Sequence, residues 1–386
     1  MAAAAGAASP VDIIDAPTSV VLVTGGTGLV GRAIAAVMGY KANSPPRPPT
    51  GAATVSADDS AEASAVTEPT AASGSGGGSE SAFDSSKPYV NERKDGEQWY
   101  FASSKDADLR DAEETAALFD RVKPTHVIHL AAFVGGLYRN MRQKVEFFRW
   151  NVQMNDNVME QCRLHGVRKL VSCLSTCIFP DKTTYPIDES MLHLGVPHAS
   201  NEGYAYAKRM VEVATRLYRE EYKSPFVTII PTNVYGPHDN FNVEDGHVIP
   251  GLVHKCHTAK AEGGTFSVWG TGSPLRQFIF SRDLARLMVF AMREYDSADS
   301  LILSVGEEDE VSIGDVARHV ASAAGYEKGL AFDRSKSDGQ HKKTASNGRL
   351  KSILASRYPS FAFTPIEEGI KETVEWFAEH FDVARK

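Results

Sequence analysis

Apolar residues along the chain fall into short β-rich runs separated by segments with helical spacing. Residues 19–24 read as a strand and 28–40 as the helix that follows it. Strands are then predicted at 99–103, 126–130, 169–174 and 226–230, and helices at 111–122, 151–165 and 204–222. Strand and helix in strict alternation predict an α/β fold, a Rossmann-type doubly wound parallel sheet with helices on both faces. The last third reads as a smaller mixed α/β C-terminal domain.

Two stretches break the pattern. Residues 1–18 are rich in Ala, Ser and Pro, and hold Asp12 and Asp15 but no Arg. They lack the basic start and apolar stretch of a secretory signal and the Arg-rich character of a transit peptide, and read as a disordered tail. Residues 41–96 contain no Leu, Ile, Met or Trp, a single Phe83 and a single Tyr89, and the run SGSGGGS. Such a segment buries too little apolar area to offset its ordering entropy, so it reads as a disordered insertion.

The net charge of −8 argues against nucleic acid as a partner, which calls for a basic face. No apolar run approaches the ~18 residues of a membrane helix. The four cysteines (Cys162, Cys173, Cys177, Cys256) lack Cys-x-x-Cys spacing and suggest neither a metal site nor a disulfide framework. The default setting is therefore reducing and cytoplasmic.

The first strand runs into VLVTGGTGLVG. Gly25 permits the tight turn, Gly28 lets the backbone approach a pyrophosphate, and Gly31 permits close helix–strand packing. Gly26, Thr27, Leu29 and Val30 complete the loop, and the helix N-terminus faces the anion. An NAD-preferring fold places an acid at the end of the second strand. Here that point reads Ser103, Ser104, Lys105, with no acid before Asp106, which favours NADP(H). Lys105 also reads as a plain surface lysine. The glycine spacing resembles that of the extended short-chain dehydrogenase/reductase family, and this resemblance implies that Asp108, Leu109, Leu130, Ala131 and Ala132 approach the adenine and ribose.

Tyr204 and Lys208 form a Tyr-x-x-x-Lys pair whose i, i+4 spacing puts both on one helix face. A nearby ammonium and the nicotinamide are expected to lower the tyrosine pKa. Upstream, LSTCIFP (174–180) ends the fourth strand, where Ser175 and, less directly, Thr176 can donate to a carbonyl. Cys177 has two readings, a buried structural cysteine or a thiolate base. His247, beside Asp245, has two as well, a loop histidine or the complementary acid. Sequence spacing does not show whether Cys177 and His247 meet.

LSTCIFP, YAYAK, PTNVYGPHDNF, EDGHVIP and SVWGTGSPLRQF together resemble the GDP-sugar epimerase–reductases of the extended short-chain dehydrogenase/reductase family. The resemblance covers 20–37 and 99–386, and it implies a dinucleotide-binding domain over 19–239 and a mainly substrate-binding domain over 240–386, with 276–300 returning to the first. It implies C3/C5 epimerisation of GDP-4-keto-6-deoxy-D-mannose followed by NADPH-dependent reduction of its C4 ketone, in a homodimer. It implies that Tyr204 is the proton donor, Lys208 its cofactor-binding partner, Ser175 the carbonyl donor, and Cys177 and His247 the epimerisation base and acid. Leu174 to Thr176, Pro231, Thr232, Asn233 and Val234, with His247, would line the cofactor. Lys255, Trp269, Arg276, Asp338 and Lys343 would contact the GDP-sugar, although Lys343 also reads as part of a solvated basic run. The competing readings are another sugar-nucleotide epimerase or dehydratase of the same family, and a silent NADP-binding scaffold. Dehydratases carry an Asp-Glu pair where Cys177 follows Thr176, and a silent scaffold would tend to lose Tyr204 or Lys208.

Overall fold

A computed structural model describes residues 19–42, 44–49, 91–336, 338 and 342–386. The expected tail at 1–18 and most of the insertion, 50–90, lie outside the described residues. The first half runs β1 (Ser19–Thr24), α1 (Leu29–Val37), β2 (Glu97–Ala102), α2 (Ala112–Val122), β3 (His126–His129), α3 (Leu137–Arg142), α4 (Lys144–Leu164), β4 (Lys169–Cys173), α5 (Glu202–Tyr222) and β5 (Phe226–Pro231). It continues with β6 (Asn233–Tyr235), α6 (Val248–Glu262), β7 (Phe266–Trp269), β8 (Leu275–Arg276), β9 (Phe278–Phe280), α7 (Ser281–Glu294) and β10 (Leu301–Leu303). The chain ends with β11 (Val311–Ser312), α8 (Ile313–Ala324), β12 (Leu330–Asp333), α9 (Gly348–Arg357) and α10 (Ile366–Glu379).

The side-chain period of two along each strand builds the layers. In β1, Val21 and Val23 enter one core with α1, α7 and α9, while Leu22 enters the opposite core with α2, α4 and α5. β4, β5 and β10 split in the same way: Val171, Val227, Ile229, Leu301 and Leu303 go to the first core, and Leu170, Phe226, Ile230 and Ile302 to the second. Burial on both faces is the condition under which parallel strands are stable. Six of them pair in the order β10-β5-β4-β3-β1-β2, every neighbour parallel. The order reverses between β1 and β3, which is where open α/β sheets take ligands.

A third core gathers α6, α8 and α10 around Phe241, Phe266, Val316 and Phe377. Buried Gln277 stitches it to the sheet. Its amide nitrogen donates to the carbonyls of Val305, Gly306 and Ala345, and its oxygen accepts from the Ala345 N–H at 2.8 Å.

Several expectations need correction. The ends of the insertion, 41–49 apart from residue 43 and 91–96, are packed and not disordered: the Phe101 N–H donates to the Pro46 carbonyl at 2.8 Å, and Arg286 pairs with Glu92 at 2.8 Å. Their anchors are prolines and charged groups, which hydropathy does not flag. The helix expected at 151–165 begins at Lys144, because Val145 and Phe148 are exposed and the buried Asn151 and Asn155 interrupt its apolar stripe. Residues 301–303, expected in the smaller domain, pair with β5 in the main sheet, and α9 packs on the same layer. The short helix α3 has no apolar period and was not anticipated. No helix among the described residues is long and apolar enough to cross a membrane.

Asp111 caps α2 by accepting from the N–H groups of Glu113 and Glu114, and Phe119 fills the core beneath it with no exposure. Phe119→Ala is expected to cost about 3–5 kcal/mol, read as a lower urea midpoint at an unchanged slope.

Candidate functional site

The parallel order brings the carboxyl ends of all six strands to one edge, and the loops there supply the site. After β1 the chain turns at Gly25, whose φ of +69° suits glycine. A Cβ on Gly26 would lie 2.6 Å from Phe101 of β2, and one on Gly31 2.5 Å from the Gly26 carbonyl oxygen. The loop therefore packs at backbone contact with β2 and with its own helix. Gly28 is the N-cap of α1 and offers no side-chain acceptor, so the helix start is left to an anion. At the other end of the edge, Thr232 Oγ1 is buried with no hydrogen-bond partner among the described residues. The bare helix N-terminus and the unpaired hydroxyl fit a dinucleotide laid across the strand ends.

His129 closes β3 under this edge. Its Nδ1 lies 2.7 Å from Thr24 Oγ1 of β1, and its Nε2 lies 3.0 Å from Asn155 Oδ1 of α4. Burial, with Lys208 nearby, pushes its pKa down to about 3, so the ring stays neutral and ties three elements together just before Leu130 and Ala131.

At the end of β4, Ser175 Oγ accepts from the Cys177 N–H at 3.5 Å and begins a single 3-10 turn over Thr176–Ile178. Lys208, only 2% exposed, donates from Nζ to the Cys173 carbonyl at 2.8 Å. Its nitrogen stands 5.8 Å from the Tyr204 ring centre. The protein's own groups do not lower the tyrosine pKa. Burial, then Cys177 and Cys173, push Tyr204 well above its ordinary value, while the ammonium is engaged by a carbonyl. The phenol is held protonated, the form a proton donor needs. Burial lowers Lys208 and raises the Cys177 thiol, and the Lys343 ammonium, the Ser175 hydroxyl and Lys208 oppose the rise at Cys177.

Lys343 is half-buried, with Cys177, Arg276 and Asp181 in its electrostatic surroundings. A cavity of about 310 Å³ is lined by Gly135, Gly136, Asn140, Asn201, Asn233, Val234, His247 and Arg276, among others. Buried Asp239 has an Oδ2 with no partner among the described residues and feels the charge of His247. A second cavity, also about 310 Å³, lies between α6 and β7. Lys255 and Trp269 line it, with the Lys255 ammonium 3.5 Å from the Trp269 ring centre. Asp338 accepts from the Thr271 N–H and hydroxyl at the next turn. Lys255 and Trp269 thus line a different cavity from Arg276, and Lys343 shares the electrostatic surroundings of Cys177 and Arg276. Lys105 is exposed and Asp108 pairs with Arg110.

Sequence reasoning missed Asn140 and Asn201, which line the first cavity and whose buried Oδ1 atoms lack partners among the described residues. The Gly135-Gly136 pair beside Asn140 was the available signal, since Gly136 lies against the backbone of Asp245.

Residues 21–306 match the model of the NAD dependent epimerase/dehydratase family. A GDP-L-fucose synthase of Dictyostelium discoideum is 56% identical over 299 residues, 77% of this chain and 92% of that protein. The chain belongs to the GDP-L-fucose synthase family. A GDP-L-fucose synthetase of Naegleria fowleri, solved bound to NADP, superposes with a TM-score of 0.77 at 43% identity, covering 96% of each chain. A UDP-glucose 4-epimerase of Thermotoga maritima, at 18% identity and a TM-score of 0.63, shares the fold alone.

The neutral His129 yields a pH prediction. The unfolded imidazole binds a proton below about pH 6.5 while the buried one resists to about 3. Its contribution is complete above 6.5 and is lost as pH falls toward 3, by at most ~1.4 kcal/mol per pH unit. His129→Gln is expected to flatten that part of the acid limb when urea unfolding is compared at about pH 7 and about pH 5.

Proposed function

We propose that the chain converts GDP-4-keto-6-deoxy-D-mannose to GDP-L-fucose by epimerisation at C3 and C5 followed by reduction at C4, with NADP(H) as cofactor. The observation that carries this is a thiol, Cys177, beside the tyrosine–lysine pair of a ketoreductase. A reductase alone has no use for it. The 56% identity to a GDP-L-fucose synthase supports the same reading.

The chemistry follows from the residue types. A C4 ketone acidifies the protons at C3 and C5. The Cys177 thiolate, favoured by the Lys343 ammonium, removes one, and the Ser175 and Tyr204 hydroxyls stabilise the enolate oxygen. His247 returns a proton from the opposite face, and repetition at the second carbon inverts both centres. NADP(H), when bound, supplies the hydride for C4. Tyr204 delivers the matching proton to the C4 oxygen, and its raised pKa keeps that proton available. Residues 25–31 would hold the pyrophosphate, Leu130 to Ala132 the adenosine side, and Leu174 to Thr176 with Pro231 to Val234 the nicotinamide side. Arg276 and Lys343 would hold the diphosphate and sugar, and Lys255 and Trp269 the guanosine end. Asn140 and Asn201 offer acceptors to sugar hydroxyls.

The reading includes a homodimer. α4 and α5 pack side by side, and Val145, Phe148, Met210 and Leu217 are exposed on them. A cytoplasmic location is supported by four unpaired cysteines.

The test is incubation with NADPH and the keto sugar in deuterated water, followed by product NMR. Deuterium at C3 and C5 of GDP-L-fucose is expected, and reduction without deuterium would remove the roles of Cys177 and His247. Cys177→Ala is expected to abolish deuterium uptake. Tyr204→Phe should slow reduction by about 10²–10⁴-fold while exchange persists. Met210→Glu with Leu217→Glu is expected to give monomers in sedimentation, and an unchanged dimer would place the interface elsewhere.

A further inference from the structure

The acid nearest the end of β2 is Asp106, in the loop that decides between a ribose 2′-hydroxyl and a 2′-phosphate. A carboxylate open to the cofactor there accepts from the hydroxyl and repels the phosphate. In this chain it is engaged within the protein. Asp106 Oδ2 accepts from the Ser103 N–H at 2.7 Å and the Ser103 hydroxyl at 2.9 Å. Its Oδ1 accepts from Arg47 Nε at 3.1 Å and Nη2 at 2.5 Å. The Asp106 side chain is 9% exposed, against 46% for Arg47.

Arg47 belongs to the arm that opens the insertion, and the arm is anchored on both sides of it. Pro45 and Pro48 are buried. The Pro46 carbonyl accepts from the Phe101 N–H of β2 at 2.8 Å, and the Pro49 carbonyl from Arg121 Nε at 3.0 Å. The same Arg121 donates from Nη2 to the Asp106 carbonyl at 3.0 Å, so arm and loop share one clamp. Proline suits the arm because it lacks the N–H that would extend the edge of β2.

We propose that Arg47 is a positioning residue for cofactor selection: it holds and neutralises Asp106, with Ser103 as its other partner, leaving the end of β2 to Ser104 and Lys105 and so to a 2′-phosphate. The insertion thereby contributes a specificity element to the nucleotide site. This rests on the NADP(H) reading above.

The test is calorimetric titration of the full chain with 2′,5′-ADP and with 5′-AMP, which needs no turnover. Wild type should prefer 2′,5′-ADP. Arg47→Gln should reduce that preference about tenfold, and Arg47→Lys should retain part of it. Arg47→Gln combined with Asp106→Asn should restore the preference, because the carboxylate that Arg47 restrains is gone. An unchanged preference in Arg47→Gln overturns the proposal, as does failure of the double variant to recover. A wild type without preference for 2′,5′-ADP overturns the NADP(H) reading and this inference together.

Discussion

Parallel strands cannot be joined by tight turns, so each must be followed by a crossover through a helix on one face or the other. That constraint delivers the loop after every strand to the same edge of the sheet. Residues far apart in the chain, from the glycine loop after β1 to Pro231–Val234 after β5, meet there because they occupy equivalent positions in successive units. Backbone packing of Gly26 on Phe101 and of Gly31 on Gly26 then sets how closely the first loop approaches its neighbours. The site follows from strand direction first and from side chains second.

Burial controls the chemistry at that edge. Lys208, Tyr204 and Cys177 sit at the end of β4 in surroundings that disfavour their charged forms. A protonated phenol suits delivery of a proton, whereas a thiol base needs help to ionise. Lys343 and Lys208 oppose the desolvation of the thiol, and Lys343 arrives from a segment distant in sequence. The proposed acid–base set therefore draws on the C-terminal segment as well as on the sheet, and the buried amide of Gln277 is one of the joints between them.

Much of this was legible beforehand. The alternation of runs marked the sheet, and VLVTGGTGLVG marked its ligand edge, because glycine spacing and strand period are local properties. Tyr204, Lys208, Ser175 and Cys177 stood out because their spacing matches one helix face and one strand end. The start of α4 was hidden by exposed Val145 and Phe148 and by buried asparagines, so its period lacked the usual contrast. The role of the 41–49 arm was hidden because polar and proline contacts leave no hydropathy signal.

The sequence by itself determined the order of elements, the glycine loop and the chemical types available at the site, since each depends on residues close together along the chain. Tertiary structure alone decided that the Lys208 ammonium is engaged by the Cys173 carbonyl, that the charge of Lys343 acts on Cys177, and that Asp106 is bound by Arg47. Each of these depends on burial and on partners distant in sequence, which determine whether a charge is exposed, paired or suppressed.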